Sequence, residues 1–371
     1  MQKIVFFNST MQMGGPARVI NLWSNYFVDN GYEVEVVSNI DVPLFYHFDG
    51  SIKYSILGID KFQQKCKVKT LYKMFIFLKN RKNEALVFSK GLYIGYLFVL
   101  KKIGLIDDSL RLVYVIHGGT SDFKIIYNNL TKYMILKVFD NIVVNYDDYH
   151  KYKKTVSKSF KRKIIDSLMG DCFDELKPKV TCLLNPATFR SNKTPTYDNK
   201  VVIAVGRLDY IKGFDLLIDS WSAIAPDYPG WKLRIVGGGE RAQDLINQID
   251  QLSLNNVVEM IPSSDDVKSL LLSSSIYAMS SREEGLPMAV IEAMECGLPV
   301  VAFNNIGASY LVKDKENGLV CDIGNTEALS SNMEALMNDK EMRQEMGCKS
   351  KEMAQQFHIE NIFPIWNDLL S

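Results

Sequence analysis

Residues 280–302 read SSREEGLPMAVIEAMECGLPVVA, an order that describes a turn, a helix and the start of a strand. The apolar run Ile276, Tyr277, Ala278, Met279 comes before them as the end of an earlier strand. Pro287 fits the first helical position, where its missing N–H costs nothing. Apolar residues recur at helical spacing through Met288, Val290, Ile291 and Met294. Gly297 is placed to end the helix, and Pro299 follows before Val300 and Val301 open the next strand. A helix N-terminus carries free N–H groups and about half a positive charge, so the turn ahead of it can hold a phosphate. Gly285 lets a ligand approach the backbone. Glu284 at the mouth of the turn and Glu292 on the second helical turn can accept hydroxyl groups, the latter from a ribose diol. The same pattern also describes a capped helix with two solvated glutamates.

The run E-G-L-P-M-A-V-I-E-A-M-E-C-G-L-P-V-V resembles the E-x7-E signature of the retaining glycosyltransferases of family 4. The bare spacing is weak, but the extended run is specific. The resemblance implies an α/β chain of the GT-B type, with two Rossmann-like domains whose parallel sheets face a central cleft. It implies an acceptor-binding domain over 1–185 and a nucleotide-sugar-binding domain over 186–357. The last helix, 358–371, is expected to cross back onto the first domain.

The rest of the chain can be compared with that expectation. The start alternates strand, helix and strand, with Gly14 and Gly15 in the first loop. No G-x-G-x-x-G occurs there, so a dinucleotide cofactor is not indicated. By position, Gly14 and Gly15 match family glycines near the donor phosphates or the acceptor, and a plain tight turn explains them equally well. The strand ending at Ile116 leads to His117 and two glycines, where open α/β sheets bind ligands. The family has a histidine there, facing the donor sugar. It usually has a serine near Asn145, so asparagine is a departure, as is Asn185-Pro186 where many members read N-G. In the second half, G-R-L-D-Y-I-K-G begins at Gly206, and Arg207 and Lys212 match the family's basic pair. Two cations five residues apart around a strand-to-helix turn can converge on a diphosphate. Gly238, in the glycine turn after the next strand, and Pro262, after the one beyond, match positions near the nucleotide. The backbone of Gly285, Leu286, Pro287 and Met288 completes the expected substrate contacts.

The chain has 371 residues, 47% of them apolar, which suits two cores. Lysine plus arginine number 27 against 17 acids in residues 1–185, and 16 against 26 in residues 186–371. Such asymmetry points to different partners for the two halves. Basic clusters lie at 61–82 and 151–163. The first interleaves lysines with Leu71, Met74, Phe75, Phe77 and Leu78, as a helix on an anionic membrane does. A solvated helix face is the ordinary alternative. The most apolar span, 92–106, is too short and too charged to cross a bilayer. No signal peptide is read at the N-terminus, and the six cysteines show no metal-ligand spacing, so reduced thiols and a cytoplasmic location are expected.

By resemblance, the expected reaction moves a hexose or N-acetylhexosamine from a nucleotide-diphosphate sugar, UDP being the usual nucleotide, to a saccharide acceptor. The S-x-x-E-G-x-P variant resembles enzymes of capsule, O-antigen and exopolysaccharide assembly, which implies a lipid-linked acceptor at the inner face of the membrane. Arg207 and Lys212 would stabilise the departing phosphate. Glu284 and His117 would face the donor sugar, and Glu292 would hold the ribose. No D-x-D triplet occurs, so neither metal nor other cofactor is expected, and no nucleic-acid partner. Two rival functions share the fold: a nucleotide-sugar 2-epimerase, and a non-catalytic sugar-nucleotide-binding protein.

Overall fold

The computed structural model describes residues 2–12, 14–59, 67–89, 93–116, 129–144 and 179–370. The chain divides into two compact units, Met1–Pro186 with Phe363–Ser371, and Ala187–Ile362.

Among the described residues, the first unit is built on seven parallel strands: β1 Lys3–Asn8, β2 Glu33–Ser38, β3 Lys53–Ile56, β4 Glu84–Phe88, β5 Arg111–Ile116, β6 Asn141–Val144 and β7 Val180–Cys182. Their order is β3-β2-β1-β4-β5-β6-β7, with β1 in register between Glu33 and Glu84 at Lys3. β1, β4 and β5 are buried almost end to end, which is why they are continuous apolar runs rather than alternating ones, while β2 is buried as far but includes Glu35. Successive side chains still alternate between the two faces. Val5, Phe7, Leu86 and Phe88 share one core with helices α2 Lys67–Leu78, α3 Ile94–Lys102 and α4 Asn129–Val138. On the opposite face Phe6 meets helix α1, Gly15–Asp29, and the chain's last helix, Ile359–Leu370. Trp366 of that helix lies 5.7 Å from Trp23 and 5.6 Å from Phe27, ring to ring, with Phe363 5.0 Å from Phe27. Edge-to-face aromatic pairs of this kind add about 1 kcal/mol each beyond their burial.

Helix α2 corrects one expectation. Phe75 and Phe77 do not line an outward face. Together with Leu71 they pack on the core built by Met74 and Leu78, and the Phe77 ring lies 5.1 Å from Phe7. The Lys73 ammonium is bonded to the Gly58 carbonyl. Lys65 and the basic stretch 151–163 lie outside the described residues.

The second unit holds six parallel strands: β8 Val201–Val205, β9 Lys232–Val236, β10 Val258–Ile261, β11 Ile276–Met279, β12 Val300–Phe303 and β13 Gly318–Cys321. Their order is β10-β9-β8-β11-β12-β13. Its helices in sequence are α5 Phe214–Ile224, α6 Ala242–Gln251, α7 Val267–Leu272, α8 Met288–Glu295, α9 Ile306–Leu311, α10 Thr326–Asn338 and α11 Lys340–Ala354, and the chain's last helix, Ile359–Leu370, is α12. The core gathers Val202, Ala204, Leu233 and Ile235 from the sheet with Leu217 and Trp221 of α5 and Leu329 and Met333 of α10. Strand order reverses between β8 and β11. The loops leaving their carboxyl ends therefore part to opposite faces and open a crevice, where open α/β sheets bind ligands.

Candidate functional site

Two loops border that crevice: residues 206–213 after β8 and residues 280–287 after β11. They are fastened to each other. The Arg282 backbone N–H donates to the Ile211 carbonyl at 2.7 Å, and the Ser280 hydroxyl to the Lys212 carbonyl at 3.1 Å. Gly213 has φ +64°, and an added Cβ would stand 2.1 Å from the Ser280 carbonyl oxygen, so only glycine fits where the loops touch. The Arg282 guanidinium forks onto both oxygens of Asp215 at 2.9 and 2.7 Å, donates to the Tyr210 carbonyl at 2.7 Å and lies 4.0 Å over the Tyr210 ring. Burial opposes ionisation of Asp215. The bonds and charge of Arg282, with Arg241 beyond, outweigh it and hold the carboxyl below its ordinary range. Asp215 also sits in the first turn of α5, where a negative charge is favoured.

This lock brings the predicted side chains together. Lys212 Nζ lies 2.5 Å from Glu284 Oε1, and the same oxygen accepts from the Ser281 hydroxyl at 2.7 Å. Arg207, 69% exposed, donates from Nε to one oxygen of Asp209 at 2.8 Å. The other oxygen of Asp209 accepts from the Lys212 backbone N–H at 3.1 Å. Asp209 thereby fixes the spacing of the two cations. The methylenes of Lys212 pass beside Gly206, where a Cβ would be 3.6 Å away.

Pro287 is the residue before the helix, not its first turn. Its φ of −71° and ψ of 108° are extended, and its carbonyl accepts from Val290 and Ile291 at 3.1 and 3.4 Å. The helix proper starts at Met288, whose N–H belongs to the unpaired first turn. Leu286 and Pro287 are buried, so a ligand can meet them only through the backbone. Behind the turn stands Gly307, where a Cβ would come 2.2 Å from the Gly285 carbonyl oxygen. Asn305 caps α9 and donates to the Ser281 carbonyl at 2.9 Å.

Glu292 is 2% exposed, and its Oε1 accepts from the Thr188 hydroxyl at 2.7 Å. One turn on, Glu295 contacts His358 at 2.5 Å and accepts from the Ser191 N–H at 3.3 Å. Tyr277, buried beneath, donates to the Val205 carbonyl at 3.3 Å. Burial raises its pKa, and the charges of Glu284 and Glu292 raise it further, so both carboxylates bear on one ring. At the far side of β8 the Gly238 carbonyl accepts from the Leu208 N–H at 3.0 Å, beside Ser263. Pro262 is exposed just beyond β10.

In the first unit, Gly14 precedes α1 in extended conformation, and its N–H donates to the Tyr46 hydroxyl at 3.2 Å. A Cβ added at Gly14 or Gly15 would meet no atom within 4 Å. Packing therefore does not require glycine at either position. His117 and Asn145 lie outside the described residues. The Arg282–Asp215–Tyr210 lock and the Thr188 bond were not foreseen. Their partners are far apart in sequence, and the only local signal is an acidic residue in the first turn of α5.

The arrangement offers two cations, two carboxylates and a helix N-terminus around one crevice, as a sugar bearing a diphosphate requires. The sequence pattern of the family described as glycosyl transferases group 1 matches residues 187–353. Over 377 aligned residues, spanning the whole of both chains, the protein is 31% identical to an uncharacterized glycosyltransferase of Haemophilus influenzae. It is 26% identical, over 99% of each chain, to the amylovoran biosynthesis glycosyltransferase AmsD of Erwinia amylovora. Among solved structures, a mutant of TarM from S. aureus, in a complex that includes UDP, superposes over the whole of both chains with a TM-score of 0.77 at 14% identity. At that identity the likeness bears on the fold alone, which is GT-B. Identity of 31% over complete chains bears on descent: the protein belongs to the group 1 glycosyltransferases.

Proposed function

We propose that the protein is a retaining glycosyltransferase of family 4 that takes a hexose or N-acetylhexosamine from a UDP-sugar and passes it to a saccharide acceptor in surface polysaccharide synthesis. The observation that carries this reading is the meeting of Lys212, Arg207 and the N-terminus of α8 around the crevice at the β8–β11 reversal. As the glycosidic bond breaks, negative charge grows on the departing phosphate. Preorganised cations and N–H groups stabilise that charge more than they stabilise the ground state. They do so without a metal ion.

Each residue then has a role. Lys212 and Arg207 hold the diphosphate, with the backbone of Gly206, Gly285 and Met288 beside it. Gly238 and Pro262 border the base. Glu292 takes the ribose diol, which joins the Thr188 hydroxyl on its carboxylate. Glu284 accepts hydroxyls of the donor sugar, oriented by Ser281 and Lys212. The first unit binds the acceptor, with Gly14 and Gly15 leaving room for it. In the transfer, the bond from the anomeric carbon to the phosphate oxygen breaks. The acceptor oxygen bonds that carbon from the same face, and its proton passes to the departing phosphate. A lipid-linked acceptor fits the basic first unit. The relation to AmsD supports polysaccharide assembly, and UDP in the TarM complex supports the nucleotide.

Purified protein incubated with UDP-hexoses and a saccharide acceptor is expected to release UDP and a glycoside whose anomeric coupling constant matches the donor. An inverted product would overturn retention. A donor epimerised at C2 in the absence of acceptor would assign the protein to the 2-epimerases instead.

A further inference from the structure

The first unit's sheet is covered by two helical layers of unlike character. The layer of α1 and α12 carries one arginine, Arg18, against Asp29, Glu360 and Asp368. The layer of α2, α3 and α4 carries seven lysines and no aspartate or glutamate. Two of those lysines tie down backbone: Lys73 at the Gly58 carbonyl and Lys101 at the Val138 carbonyl. Lys67, Lys69, Lys102 and Lys137 are exposed, as is Lys79 just past α2.

Apolar side chains stand out among them. On α2, Thr70, Met74 and Leu78 face the core at i, i+4, i+8, as an amphipathic helix requires. The opposite line, Val68, Tyr72 and Ile76, has the same spacing and is 78%, 62% and 42% exposed. The display continues onto the neighbouring helices with Val99 and with Tyr133, whose ring lies 5.9 Å from Phe98 of α3. A helix apolar on two opposite sides, with one of them in water, is a surface built for a partner. Among the described residues, acids flank the layer: past the end of α3, Asp107 is held by Lys82 at 3.3 Å and by Ser109 and Asp108 is exposed, and past the end of α4 Asp140 accepts from the Leu112 N–H at 2.7 Å.

We infer that this layer docks on an anionic phospholipid bilayer, with Val68, Tyr72 and Ile76 entering the headgroup boundary and the lysines meeting lipid phosphates. Protruding aliphatic and tyrosine side chains among the lysines of helices that carry no acid match that boundary. A polyanion such as RNA gives no reason for exposed Val68 and Ile76 on either side of Tyr72. The surface deepens the transferase reading, since it would carry the enzyme to a lipid-linked acceptor, but its test does not depend on activity.

The full chain is sedimented with vesicles of phosphatidylcholine, alone or mixed with phosphatidylglycerol. Binding is expected only to the mixed vesicles and is expected to fall as salt rises. Lys67→Glu with Lys69→Glu should weaken it by about 25-fold or more, at about fivefold for each cation near the surface. Tyr72→Ser with Ile76→Ser should weaken it by about tenfold and leave the residue salt-sensitive. Both variants should melt where the parent does and be stabilised by UDP as it is. Equal binding to both vesicles, no binding to either, or undiminished binding by both variants would overturn the inference. So would a dimer of the parent chain that Tyr72→Ser dissolves, which would give the face to a second copy. A chain that binds vesicles but is not stabilised by UDP would keep the surface and lose the donor assignment.

Discussion

Lys212 is shared between a carboxylate already in the protein and the phosphate proposed for it, so its removal has two consequences. Lys212→Ala loses one preorganised donor and leaves Glu284, 11% exposed in its side chain, with the Ser281 hydroxyl. Turnover should fall by about 10²-fold or more. Arg207→Ala should fall by a similar factor while the fold survives, because that side chain is 69% exposed. Initial rates at saturating donor check both, and near-normal rates in both would remove the pair from the mechanism. Activity should also persist in EDTA. Full loss, restored by Mg²⁺ or Mn²⁺, would replace the cation-based account with a metal-assisted one. The basic pair was legible in the sequence because both cations lie within eight consecutive residues with glycines at either end. Asp215 and Arg282 were not, because a fork between residues 67 apart leaves no local pattern. What the sequence did show of Glu292, its spacing from Glu284, says nothing of the Thr188 hydroxyl that meets it from the start of the unit.

At the scale of elements, the loops after β8 and β11 act as one piece only while Gly213 lets them touch. Gly213→Ala forces a side chain into the left-handed region and against the Ser280 carbonyl. It should cost at least about 1 kcal/mol from the backbone alone, with weaker donor binding because Lys212 and Arg282 flank the contact. Thermal melting and a UDP titration measure the two effects, and an unchanged pair would mean the loops are independently placed. The strand ending at Ile116 and the run Ile276–Met279 were legible in the sequence and are β5 and β11, since a buried parallel strand is a compact apolar run. β3 was missed. Its sequence, KYSI, is half exposed on both sides and lies at the sheet edge, so it shows neither continuous nor alternating hydrophobicity. Helix α2 was read with its faces misassigned, because a helix apolar on two opposite sides gives one strong period and no sign of which side meets the core.

At the scale of the whole molecule, each unit carries a depressed carboxylate whose charge its fold depends on. Burial disfavours ionised Glu35 in the first unit. The Ser55 hydroxyl and Arg81, 2.8 Å away, outweigh that with help from Lys53 and hold its pKa below the ordinary value. Asp215 is held low in the second unit. A lowered carboxylate pKa stabilises the fold above the unfolded value, about 4, and that stability is lost as pH falls through the native value. Melting temperature should therefore hold near neutrality and drop below about pH 4. Arg81→Ala, which leaves Glu35 buried with weaker partners, should cost about 3 kcal/mol at neutral pH and flatten the acid limb. An unaltered acid limb would show that Glu35 is not a determinant. The alternating βα units were legible in the sequence, but the reversal of strand order at β8 and β11, which places the crevice, joins strands about 70 residues apart and leaves no local pattern. The charge division between the halves was visible in composition, but not that, among the described residues, helices α2, α3 and α4 carry seven lysines and no acid.

In the proposed function the crevice holds a nucleoside diphosphate through Lys212, Arg207 and the N-terminus of α8. The measurement that tests it most directly is the melting temperature of the full chain with UDP, UMP and uridine at equal concentration, repeated on Lys212→Ala. A ligand that binds only the native state raises that temperature in proportion to its affinity. UDP is expected to stabilise the protein well beyond UMP, uridine to do almost nothing, and Lys212→Ala to bring UDP down to the level of UMP. Equal stabilisation by all three, or a UDP effect that Lys212→Ala leaves intact, would contradict the account.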